Sequence, residues 1–151
     1  MGQQQLLLLV LATVIVGLAT VAGIQAFDEG QEQATQDALT QRALEIGNDL
    51  VAAANKPSQF GGVTMGSSPA QALKLAGYDL DGSDNVDADG AGENAKCSVS
   101  TSSSVGSSGN NDGYKIDCGD DGPTSGITVD ATAGPDGVRV TSINGTTVGS
   151  N

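Results

Sequence analysis

Residues 6–26, LLLLVLATVIVGLATVAGIQA, hold no charged side chain and pass without a turn signal into FDEGQEQATQDALTQRALEIGNDLVAAANKP. As a helix, 21 residues rise about 32 Å, enough to cross a hydrocarbon core. A secretory signal would want a basic start, a shorter apolar core and a small-residue cleavage site. This stretch instead comes after MGQQQ, with neither Lys nor Arg. A span is ordinarily oriented by basic residues on its cytoplasmic side. Their absence here is simplest to explain if a short basic leader has already been removed.

The polar continuation keeps a helical period. Leu39, Ala43, Ile46, Leu50 and Ala53 recur at spacings of four and three, so one face stays apolar while Gln, Asp, Glu and Arg fill the rest. Pro57 is the first proline and stops the pattern. One helix of about 50 residues is therefore expected up to Asn55. Along it, Ala12, Ala19, Gly23, Ala26, Gly30, Ala34 and Ala38 form a small-residue stripe, a pattern that lets helices approach closely where lipid supplies no hydrophobic drive. Gly17, Gly23 and Gly30 each cost roughly 1 kcal/mol relative to Ala in a helix, so they either aid packing or permit local melting. Ordinary glycine tolerance in a lone span is the plainer reading.

The chain beyond Pro57 is poor in core-forming side chains. Of the 94 residues from Ser58 to Asn151, 15 are Leu, Ile, Val or Phe, near the composition at which a chain fails to offset its ordering entropy. Two aids are visible: the apolar face of the preceding helix, and the only two cysteines, Cys97 and Cys118. A bridge between them would suit an exported domain and contribute roughly 3 kcal/mol; two free buried thiols are the alternative. The net charge is -12, from 18 acidic residues against 6 basic ones. That sign excludes a nucleic-acid binder and favours solubility and cation association.

GSSPAQALKLAGY reads as a short helix, with Ser68 as N-cap, Pro69 at the first helical position, Gln71 at the capping-box place and Gly77 as the stop. DLDGSDNVDADGAGE places Asp79, Asp81, Asp84, Asp87 and Asp89 two or three residues apart among glycines, oxygen chemistry suited to Ca2+. It does not meet the EF-hand spacing. A calcium-stabilised loop and an acidic solvated loop both remain open. Alternation then predicts four strands, at residues 95–100, 113–118, 126–131 and 137–143, with TAGPDG as a hairpin turn between the last two. NGT at Asn144 is an N-glycosylation acceptor pattern.

With a 21-residue apolar start, an unbroken amphipathic continuation to Asn55 and a small strand-rich head holding a cysteine pair, the chain resembles a type IV pilin or pilin-like filament subunit. The likeness is one of pattern and covers about a third of the chain. It implies an α+β fold in which a long N-terminal helix, apolar in its first half, packs against a small antiparallel sheet. The implied parts are a transmembrane or filament-core helix at 1–27, its amphipathic continuation at 28–56, a connecting segment at 57–94 and a β-rich head at 95–151. Leu39, Ile46 and Leu50 would complete the head's core. Gln5, Ala12, Gly17, Ala19, Gly23, Ala26, Gly30 and Ala34 would serve polymerisation and helix packing.

The resemblance also implies partners. They are identical subunits in a helical filament, the membrane before assembly, a prepilin peptidase that removes a basic leader, and an assembly machinery. The location would be a filament on the cell surface. If Met1 is the mature N-terminus, Gln5 stands where bacterial members usually carry Glu, and it can hydrogen-bond without supplying charge. A cut after Gly2, leaving Gln3 first, is the other option. Ala22 stands where the family often has proline.

Two other readings satisfy the same apolar length: a membrane-anchored surface module that does not polymerise, and a secretion-system pseudopilin. An enzyme is the least favoured class. The chain has no histidine, Walker loop, dinucleotide fingerprint or Cys-x-x-Cys motif, and no cofactor is expected beyond the Ca2+ alternative.

Overall fold

The computed structural model describes residues 2–80, 85–103, 105, 113–120 and 126–148. Helix α1 spans Gly2–Asn55, unbroken because proline first occurs at 57. The chain divides into two compact units, Met1–Gln33 and Ala34–Asn151.

In the first unit every side chain described is exposed, including Leu6, Leu7, Leu9, Val16, Leu18 and Ile24. An 18-residue window here has a mean hydropathy of 2.7 and none of it is buried. By length and composition this helix can cross a membrane.

The second unit is a helix laid on a sheet. Leu39, Ala43, Ile46 and Leu50 of α1 are fully buried, as their spacing predicts, and Gly47 joins them on the same face. A 3-10 turn at Ser58–Phe60 comes after α1, then helix α2 at Pro69–Ala76. The expected proline start and glycine stop of α2 are both present. Ser68 precedes it without a side-chain capping hydrogen bond, so the capping box read from Ser68 and Gln71 does not form as such.

The sheet has six strands where four were expected: β1 Asn85–Asp87, β2 Ala95–Ser102, β3 Gly113–Asp120, β4 Thr128–Gly134, β5 Gly137–Ile143 and β6 Thr146–Thr147. All neighbours pair antiparallel in chain order, β1 to β6. The two additions are edge strands of three and two residues, too short for alternation to reveal. The hairpin turn is tighter than TAGPDG: Gly134 pairs with Gly137, leaving Pro135 and Asp136 at the tip. Proline presets the φ that the first corner needs, and Gly137 sits at φ 111°, open to glycine and strained for other residues.

One sheet face meets the helix. Cys97, Val99, Tyr114, Ile116, Cys118, Val129, Ala131 and Ala133 are buried in one cluster with Leu39, Ile46, Leu50 and Leu73. A bulge between Asp130 and Ala131 makes β5 pair Ser142 with Asp130 but Val140 with Ala131. The extra residue, Thr141, reverses the alternation, so Val138, Val140 and Ile143 all pack against the core while Ser142 joins Asp130 on the other face.

Candidate functional site

The residues proposed for helix packing lie on α1. Gln5, Ala12, Gly17, Ala19, Gly23, Ala26, Gly30 and Ala34 are all exposed. A Cβ added at Gly17, Gly23 or Gly30 would meet nothing within 4 Å. The hydroxyls of the apolar stretch turn inward: Thr13 Oγ1 donates to Val10 O at 2.8 Å and Thr20 Oγ1 to Gly17 O at 2.8 Å. Those polar groups are thereby satisfied within the helix, and what faces outward is nearly all hydrocarbon.

Leu39, Ile46 and Leu50 share one buried cluster with the sheet, and Gly47 adds a contact that periodicity did not single out. A Cβ there would lie 2.5 Å from Val138 Cγ1 and 3.3 Å from Ile116 Cδ1, so a glycine lets the helix approach closely. Its position four residues after Ala43, on the buried face, was the available signal.

Arg42, also missed, fastens the helix from the side. Its Nη1 lies 2.9 Å from Glu45 Oε2, its Nε donates to Asp87 O of β1 at 3.2 Å, and its guanidinium stands 5.3 Å from the Tyr78 ring centroid. Tyr78 donates its hydroxyl to Asp49 Oδ2 at 2.6 Å. Burial and that hydrogen bond raise the Tyr78 phenol above its ordinary range, so it stays a donor at all physiological pH.

The cysteines form the disulfide. Cys97 and Cys118 are direct partners across β2 and β3, with Cα atoms 4.0 Å apart and both side chains in the core.

Three aspartates of the acidic stretch are described. Asp79 is exposed, Asp87 lies on β1, and Asp89 faces Arg42 at 4.0 Å; Asp81 and Asp84 lie outside the described residues. Among the described residues, no three Asp, Glu, His or Cys side chains are grouped to hold a metal ion. Asn144 has a role the glycosylation pattern did not suggest. It takes φ 50° in the two-residue Asn-Gly turn joining β5 to β6, and its Oδ1 accepts from Thr128 N at 2.9 Å. Asn-Gly between apolar runs is a strong hairpin signal in its own right.

The outer sheet face carries a polar groove of about 300 Å³ lined by Asn85, Lys96, Ser98, Asp117, Thr128 and Asp130. Asp117 and Asp130 are paired across β3 and β4, and Lys115 Nζ lies 2.6 Å from Asp117 Oδ1. Partial burial raises the Asp117 carboxyl despite Lys115, and a hydrogen bond shared with Asp130 reinforces the rise. Burial also acts to raise Asp130, but hydrogen bonds from Ser142 and Asp117, with Lys115 nearby, hold it below its ordinary value. The two carboxyls are thus shifted in opposite directions by one shared set of contacts.

A raised folded-state value means that Asp117 contributes stability below the unfolded carboxylate pKa and loses it as pH climbs through the folded one. Asp117→Asn removes that loss. The melting temperature of the variant minus that of the wild type is therefore expected to increase from pH 4 to pH 7; a difference that stays flat or falls would contradict the upward shift of Asp117. No protein-family model, curated protein or solved structure matches this chain.

Proposed function

We propose that the chain is the structural subunit of an extracellular type IV pilus-like filament, polymerising through its apolar N-terminal helix. The observation that supports this most is the contrast along α1: its later part has Leu39, Ile46 and Leu50 fully buried against the chain's own sheet, whereas none of the apolar window is buried by the chain. About 30 Å of outward-facing hydrocarbon needs cover from lipid or from other helices. The stripe Ala12, Ala19, Gly23, Ala26, Gly30 and Ala34 suits close approach by identical copies, with Gln5 near the start contributing a hydrogen bond and no charge.

In this reading the subunit is stored in the membrane and transferred by dedicated machinery into a polymer with helices inside and acidic heads outside. Adhesion or motility would be downstream roles. The chain's part is structural and needs no catalytic group. A non-polymerising surface module has the same apolar length, and one experiment separates the two. Electron microscopy of material sheared from cells should show filaments containing this chain; recovery solely as detergent-dependent monomers would refute polymerisation.

A further inference from the structure

The acidic segment just past the span has no counter-charge of its own. Arg42 is the first basic residue, so Asp28, Glu29 and Glu32 lie in a stretch of α1 without any cation. All three are exposed and none is ion-paired among the described residues. Asp28 and Glu32 are four apart, and Glu29 and Glu32 three apart, spacings at which like charges repel on a helix surface. Phe27, just before them, is 76 % exposed.

A patch of opposite character lies on the second unit. Lys56 comes directly after α1 and Lys74 lies on α2; both are exposed and neither forms an ion pair among the described residues. Arg42 and Lys115, by contrast, are engaged within the head. Phe60, in the 3-10 turn after Lys56, is 80 % exposed, and Leu75 beside Lys74 is 44 % exposed. The turn lies against α2: a Cβ at Gly61 would be 3.9 Å from Leu75 Cδ2. An exposed aromatic four residues after Lys56, in a turn that lies against the helix carrying Lys74, is thus set against an exposed aromatic followed directly by carboxylates. Complementary charge around an apolar centre fixes the register of an interface and disfavours wrong partners.

We propose that the Lys56, Phe60 and Lys74 patch of one copy receives the Phe27 to Glu32 segment of a second copy. The inference rests on the filament reading and names a contact within it. Both patches belong to every chain, so the contact is heterologous: each copy offers one half and accepts the other. Heterologous contacts that do not close into a ring produce an open helical polymer. Adding a copy relieves the acidic repulsion on α1, which couples charge neutralisation to growth.

The test uses the full chain, with sheared filaments assayed at physiological ionic strength. Lys56→Glu with Lys74→Glu is expected to lower filament yield at least tenfold, and so is Asp28→Lys with Glu29→Lys and Glu32→Lys. Joining the two sets in one chain is expected to return the yield to within about twofold of wild type. Zero-length carbodiimide coupling of wild-type filaments should link Lys56 or Lys74 to Asp28, Glu29 or Glu32 of another copy, seen by mass spectrometry as a ladder of covalent oligomers. Circular dichroism melts of each variant separate assembly defects from misfolding.

Wild-type filaments with unimpaired variants and no such cross-links would overturn the contact while leaving the filament reading intact. The same holds if the lysine variant alone fails, the result expected of anionic lipid headgroups as partner, or if the combined chain is not rescued. Absence of wild-type filaments would overturn both.

Discussion

Leu50→Ala is expected to destabilise the head by about 2–5 kcal/mol, and Ile46→Ala by a similar amount. Both side chains are 0 % exposed and belong to the single cluster that joins α1 to β2, β3 and β4. Truncation removes the transfer free energy of the lost methyl and methylene groups and leaves a cavity that the sheet cannot fill by moving, since Gly47 already brings Val138 and Ile116 close to the helix backbone. The effect is large relative to the whole, because a small domain has only about 5–15 kcal/mol of net stability. Denaturant titration followed by circular dichroism on detergent-solubilised protein measures it. Leu18→Ala is the control: Leu18 is 68 % exposed within the chain, and the head's transition midpoint should not move. A Leu50→Ala loss below about 1 kcal/mol would mean that the head does not depend on the helix for its core.

Reduction of the Cys97–Cys118 disulfide is the second large effect, at about 3 kcal/mol. The bridge joins residues 21 apart in sequence and closes the connection between the two strands it pins. In the unfolded chain it removes loop entropy; in the folded head it fixes the β2–β3 register, in which a one-residue slip would turn Val99 and Ile116 out of the core. Thermal melts with and without reductant should separate by more than 10 °C for a head of this size. Coincident melts would show that the register is held without the covalent link. The bridge and Leu50 share one cluster, so the combined loss is not expected to be additive.

Long, strongly periodic features were legible in the sequence and local geometry was not. The helix to Asn55 is dictated by an unbroken absence of proline, and its head face by the 4-3-4-3 spacing that ends at Ala53. Strands β2, β3 and β5 declared themselves through alternating Cys, Val and Ile. The bulge did not, although its trace is present: Val138, Val140 and Ile143 are spaced two and then three apart, as one inserted residue requires. Strands β1 and β6 are too short to alternate, and Asn144-Gly145 carries a hairpin signal beside its glycosylation pattern.

The candidate site divides along the same line. Apolar length and small-residue spacing are visible one residue at a time. The Arg42–Tyr78–Asp49 connection and the Asp117–Asp130 pair join residues distant in sequence, and only the fold brings them together. The pairing of Asp117 with Asp130 also depends on the strand register, which no composition encodes.

Filament formation of this kind requires that residues 6–26 stay in the subunit and are sheltered by their counterparts in other copies once they leave the membrane. Intact-mass and N-terminal peptide analysis of subunits from washed, lipid-free fibres tests it most directly. Subunits that retain the whole of residues 6–26, in fibres that hold together without detergent, are the predicted result; assembled fibres whose subunits begin after Phe27 would contradict it.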